Sequence, residues 1–205
     1  MSSLVVHPLK GRDMGSNFAR ECALELIQTM RRVGFGYRLL REPNAQRGST
    51  CAALENANDH FTVFMGFGHG LPGQLFDSRE RLMFHQTDAH LLAEKACYVL
   101  ACFSFRGIGE EAIRHGAVAY VGFTERFIVP QYFRDEMRKC CISGMKEFLL
   151  GNCGLTEIED VTSSEFEATR RTLDELDLGG YGDQAIWSKS SFSYNQNILR
   201  FYTRP

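Results

Sequence analysis

The run Ala96-Cys-Tyr-Val-Leu-Ala101-Cys102-Phe-Ser104, followed by Gly109-Glu-Glu-Ala-Ile-Arg-His115-Gly116 and then Ala117-Val-Ala-Tyr-Val121-Gly122, decides the fold. Its first part is apolar at nearly every position, as a strand reads when both faces of its sheet are covered. A loop and a short helix ended by Gly116 lead to a second apolar run. Strand, loop, helix and strand in that order make a βαβ unit, which requires parallel strands and a right-handed crossover.

The same continuous apolar character appears upstream in His60-Phe-Thr-Val-Phe-Met-Gly-Phe-Gly-His69-Gly70, where Phe61 to Met65 reads as another central strand. Before it, Leu4-Val5-Val6 reads as an opening strand and Tyr37 to Arg41 as a short one. Between these, Phe18, Cys22, Leu26, Ile27, Met30 and Val33 recur at helical spacing, with Ser16 or Asn17 as cap and Gly34 as stop. Thr50 through Asn58 reads as a shorter helix.

Gln74 to Gln86 has no clear period and is expected to be loop with a short helix, and Ala89 to Ala93 a turn. Downstream, a long helix is expected from Gln131 to Leu150, within which Gly144 costs about 1 kcal/mol relative to alanine. A further helix is expected from Ser164 to Leu178, stopped by Gly179-Gly180. Residues 185–203 read as β-like from Trp187, Phe192, Tyr194, Ile198, Phe201 and Tyr202. The expected architecture is one domain over 1–205, α/β in class, with three layers and a central, mainly parallel sheet flanked by helices.

With 205 residues, 44% of them hydrophobic and 23% charged, and a net charge of -2, the composition argues for no nucleic-acid or anionic-membrane partner. No apolar run nears the roughly 18 residues that span a bilayer. Met1-Ser-Ser-Leu-Val-Val lacks the basic lead-in and long apolar stretch of an export signal. Seven scattered cysteines, an odd number, fit reduced thiols. A soluble, cytoplasmic protein is the expectation.

In a parallel α/β sheet, chemistry gathers beyond the carboxyl ends of the strands. His69 and Cys102 each fall just past such an end. Neighbouring strands lie about 5 Å apart, so the two side chains could face one substrate carbonyl. A thiol with a pKa near 8.5 needs a base to become a competent nucleophile, and an imidazole supplies one and later protonates the leaving amine. Gly70 brings a bare backbone N–H close by, and with the N–H of Cys102 it would make a two-donor oxyanion hole. No Asp or Asn stands at a telling spacing from His69, so the reading is a dyad.

The ordered pattern of strand, Gly-His69-Gly70, strand, Leu100-Ala101-Cys102-x-Ser104, helix and Gly116-Ala117-x-Ala119-x-Val121-Gly122-Phe123 resembles the caspase-like cysteine peptidases of clan CD. Within that clan it is most similar to the CHAT group, over about residues 50–150. The resemblance implies a caspase-type sheet and a cysteine-type endopeptidase, whose chemistry needs no cofactor; no metal site is expected, because the cysteines and histidines show no Cys-x-x-Cys or His-x-x-x-His spacing. It also implies cleavage directed by the side chain before the scissile bond. The partners it implies are a protein or peptide substrate and a regulatory protein or activator.

The sequence departs from caspases, which carry glutamine two residues before the cysteine, and from metacaspases, which carry aspartate there; here the residue is Leu100. Glu125, just past the third strand of the pattern, is the candidate for binding a basic substrate residue. Two rival readings are a catalytically inactive caspase-like interaction module and a nucleotide-binding α/β domain. Against the latter, Gly66-x-Gly68 is followed by Leu71 where a dinucleotide fingerprint has its third glycine.

Overall fold

A computed structural model describes residues 1–11, 13–56, 58–176 and 182–205. Its centre is a six-stranded sheet built from β1 (Ser2–His7), β2 (Gly36–Arg41), β3 (Val63–Phe67), β7 (Ala96–Leu100), β8 (Ala119–Phe123) and β9 (Leu199–Thr203). The spatial order is β2-β1-β3-β7-β8-β9. All neighbours pair in parallel except β9, which runs antiparallel to β8 at one edge. The expected three-layer α/β fold with a mainly parallel sheet is therefore the observed one.

The pleat sends alternate residues to opposite faces. Register aligns Leu4, Phe64, Cys97 and Tyr120 in one row and Val5, Met65, Tyr98 and Val121 in the next. The first row packs under α2 (Arg47–Glu55), α3 (Glu110–Arg114) and the 3-10 segment Gln86–Leu92. The second packs under α1 (Met14–Val33) and α4 (Arg134–Leu150), joined by α5 (Ile158–Leu176) and α6 (Gly182–Ile198). Continuous apolar strands follow directly from this two-sided burial.

Local chemistry sets the helix ends. α1 is capped by Asp13, whose Oδ1 accepts the Ser16 N–H at 2.7 Å, and not by Ser16 or Asn17. Gly34 closes it in the left-handed conformation (φ 69°), where glycine has no Cβ penalty. Gly144 has a packing reason: a Cβ there would lie 2.4 Å from the Ile158 carbonyl oxygen, so its absence lets α4 and α5 cross closely.

Three sequence expectations are corrected. Residues 74–86 are not a loop with a helix: β5 (Gln74–Phe76) and β6 (Leu82–His85) pair antiparallel, and β4 (His69–Leu71) pairs with β5 to complete a small sheet. Each strand is too short to display alternation, although Leu75, Met83 and Phe84 are buried. Residues 185–203 are not all β-like: α6 runs to Ile198 before β9 begins. Its buried positions Ala185, Ser188, Phe192 and Asn195 recur at helical spacing, a signal masked by the aromatic content.

Third, α5 begins at Ile158, ahead of the expected Ser164. Its expected stop at Leu178 and Gly179-Gly180 lies outside the described residues, as does Ala57 of the second expected helix. All seven cysteines are free thiols. Among the described residues, no helix is long and apolar enough to cross a membrane.

Candidate active site

β3 and β7 are adjacent and parallel, and their last residues, Phe67 and Leu100, are register partners. His69 and Cys102 each follow two residues later, so the sheet delivers imidazole and thiol to neighbouring positions at its carboxyl edge. The Gly68 N–H donates to the Leu100 carbonyl at 3.3 Å, tying the two exits together. His69 belongs to β4 and not to an open loop, so its backbone is held against Phe76 of β5.

The imidazole has partners that the sequence did not disclose. Its Nε2 lies 2.8 Å from Ser16 Oγ and 3.2 Å from Asp13 Oδ1. A carboxylate only accepts, so the matching tautomer carries its proton on Nε2 and leaves Nδ1 as the base. Asp13 thus caps α1 and orients His69 with the same oxygen. Burial tends to raise the Asp13 pKa, but the Ser16 N–H and hydroxyl, with His69, outweigh it and hold the carboxyl below its ordinary value.

The loop after Cys102 is fixed by Ser104, which is buried. Its hydroxyl donates to the Val99 carbonyl at 2.8 Å and accepts the Phe123 N–H at 3.0 Å, and its carbonyl accepts the Tyr120 hydroxyl at 2.8 Å. The serine of the Ala-Cys-x-Ser stretch therefore staples β7 to β8. Phe103 holds a left-handed backbone (φ 55°), rare for a bulky residue, and its N–H donates to the Glu125 carbonyl at 3.0 Å.

Burial pushes the Cys102 thiol above its ordinary pKa, and the Phe127 N–H, donating to Sγ at 3.3 Å, draws it back only in part. Gly70 sits hard against the same turn: a Cβ there would fall 1.9 Å from the Cys102 carbonyl oxygen. Only glycine allows that approach.

His69 and Cys102 line one cleft of about 50 Å³, whose walls include Phe18, Ala19, Leu100, Phe127 and Val129. Glu125 is not among its lining residues, and its carboxylate pairs with Arg106. The wall segment is anchored from α6, where buried Asn195 accepts the Ile128 N–H at 3.0 Å and donates to its carbonyl at 2.7 Å. A larger cavity of about 570 Å³ opens at the opposite end of the sheet, beside Ala96 and Val118. It has no thiol or imidazole on its walls.

Asp13, Ser16 and Asn195 are the functional candidates that sequence reading missed. Two helices and two strands separate Asp13 from His69 in the chain, and only the docking of α1 brings the two together. Among the described residues, no three His, Cys, Asp or Glu side chains converge as ligands for a metal ion. No protein-family model matches the chain, and no curated protein matches it.

Proposed function

We propose that the chain is a caspase-like cysteine endopeptidase. The observation that carries the reading is the meeting of His69 and Cys102 in one cleft, at the carboxyl ends of adjacent parallel strands. In the proposed reaction His69 Nδ1 takes the thiol proton as Sγ attacks the scissile carbonyl. The N–H groups of Gly70 and Cys102 hold the developing oxyanion. The C–N bond breaks, the departing amine takes the proton from His69, and a thioester remains. Water, deprotonated by His69, then releases the acid and restores the thiol.

Asp13 keeps the imidazole in the working tautomer and stabilises its protonated form, a positioning role. Gly70 stands opposite Leu75, one position back from the Pro72-Gly73 turn. In a two-residue hairpin that is the pair without ladder bonds, so its N–H points away from β5. That orientation supports its place in the oxyanion hole.

The rival, an inactive interaction module, has one observation in its favour: the sulfur is largely buried, which disfavours the thiolate, and it already holds the Phe127 N–H. A cleavage profile over a peptide library, with Cys102→Ala and His69→Ala as controls, separates the two readings. Cleavage lost in both variants supports the peptidase. A wild-type chain that cleaves nothing, and whose Cys102 alkylates no faster than the other six thiols, refutes it in favour of the module.

A further inference from the structure

Resting on the peptidase reading, we propose that the cleft beside Cys102 selects a substrate with a small apolar side chain, of alanine to valine size, immediately before the bond that is cut.

The wall chemistry carries the polarity of this assignment. Beside the imidazole and thiol, the side chains facing the cleft are Phe18, Leu100, Phe127, Val129 and the methyl groups of Ala19 and Ala101. None carries a charge, and His69 already has Asp13 and Ser16 at Nε2. A lysine side chain entering here would leave water without an opposite charge on these walls, and an aspartate would have only Arg126, which acts on Cys102 from outside them. The nearby acid that would suit a basic substrate, Glu125, is paired with Arg106 outside the cleft walls.

The size limit comes from what cannot yield. The cleft measures about 50 Å³, against roughly 300–1,000 Å³ for sites that take drug-sized ligands. Phe18 and Leu100 are buried to 1% and 3% exposure. Phe18 stacks on Phe127 at 5.4 Å, and Phe127 in turn rests on Phe123 at 4.9 Å. Leu100 stands two residues before the nucleophile and closes the floor with a branched alkyl group, so an aromatic ring would have to displace packed neighbours.

The test uses peptidyl acyloxymethyl ketones that differ only in the residue next to the ketone: Ala, Val, Phe, Lys or Asp. The thiolate displaces the carboxylate leaving group and forms a thioether, so the rate of Cys102 modification reads side-chain fit without a known substrate. The Ala or Val reagent is expected to react at least about 30-fold faster than the Lys and Asp reagents, and at least about 10-fold faster than Phe. A Lys or Asp reagent that reacts fastest overturns the apolar assignment and leaves the peptidase reading standing. A Phe reagent matching Val overturns the size limit.

Equal rates for all five reagents, none above iodoacetamide, overturn both the assignment and the peptidase reading. Val129→Asp, at a partly buried wall position, provides a second measurement. The Lys-to-Val rate ratio, in which any change in the thiol's own reactivity cancels, should rise at least about 10-fold. An unchanged ratio in a folded variant contradicts the placement of the side chain against this wall.

Discussion

Gly70→Ala tests the contact on which the site's geometry depends. In the native packing the added Cβ would sit 1.9 Å from the Cys102 carbonyl oxygen and 2.9 Å from its carbon, where an ordinary contact begins at 3.4 Å. Both neighbours are backbone or closely packed, since the third atom met is Ala101 Cβ at 3.1 Å. No side-chain rotation relieves the clash, so β4 and the Cys102 turn must separate by about 1.5 Å, and a shift of about 1 Å in a catalytic geometry typically costs about 100-fold in rate.

The same separation moves the Gly70 N–H from its place in the proposed oxyanion hole, an effect worth about 100- to 1,000-fold in kcat. Overpacking adds about 1–3 kcal/mol of destabilisation, or roughly 2–4 °C in Tm for each kcal/mol. The assay is kcat/KM on the best library peptide together with a thermal melt. Gly48→Ala serves as control, because a Cβ there meets nothing within 4 Å and should be neutral or mildly stabilising. A folded Gly70→Ala protein retaining more than half of the wild-type kcat/KM would refute the argument.

Three more perturbations separate the parts of the site. Asp13→Asn keeps a good N-cap for α1 while removing the charge beside Nε2. It should lower kcat by about 100-fold or more with Tm nearly unchanged; a fall in activity no larger than the loss of folded protein explains would make Asp13 merely structural. Asn195→Ala strands the Ile128 N–H and carbonyl, costing about 2–4 kcal/mol. It should also speed iodoacetamide labelling of Cys102 by freeing the Phe127 wall; unchanged labelling in the folded variant contradicts that link.

The third perturbation is pH. Burial holds the His7 imidazole below its ordinary pKa of 6.5, against the Pro8 carbonyl bond that favours the proton, while Arg20 and Arg41 add to the lowering. The unfolded chain therefore binds a proton near pH 6.5 that the folded chain refuses until lower pH. Stability falls as pH drops below 6.5, by up to about 1.4 kcal/mol per unit from this residue. Urea titrations between pH 7 and 5 should show that slope reduced in His7→Gln, and an equal slope in both proteins would exclude His7 as its source.

The sheet was legible because its strands are buried on both faces and so stand out as unbroken apolar runs, with the Ala96–Val121 unit dictating parallel pairing. His69 and Cys102 were legible for the same reason, since each falls just beyond a run that declares its own end. What could not be read rests on contacts distant in sequence. Asp13 reaches His69 only through the docking of α1, and Asn195 reaches Ile128 only once α6 has packed. The β4-β5-β6 sheet was hidden by strands of three or four residues. α6 was mistaken because its buried stripe includes Ser188 and Asn195, polar residues that a hydrophobic pattern does not count.

The tether from Asn195 to Ile128 also has a meaning in time. A ribosome makes His69 and Cys102 long before Asn195 and β9, and domains commonly begin to fold while synthesis continues. The nascent chain can assemble β1, β3, β7 and β8 in parallel, with His69 and Cys102 already side by side, before the wall beside them is anchored. Only when α6 and the edge strand β9 are added does the Phe127 segment gain its hold on the sulfur. Elements translated after the thiol thus determine how exposed it is during birth and how guarded it is afterwards.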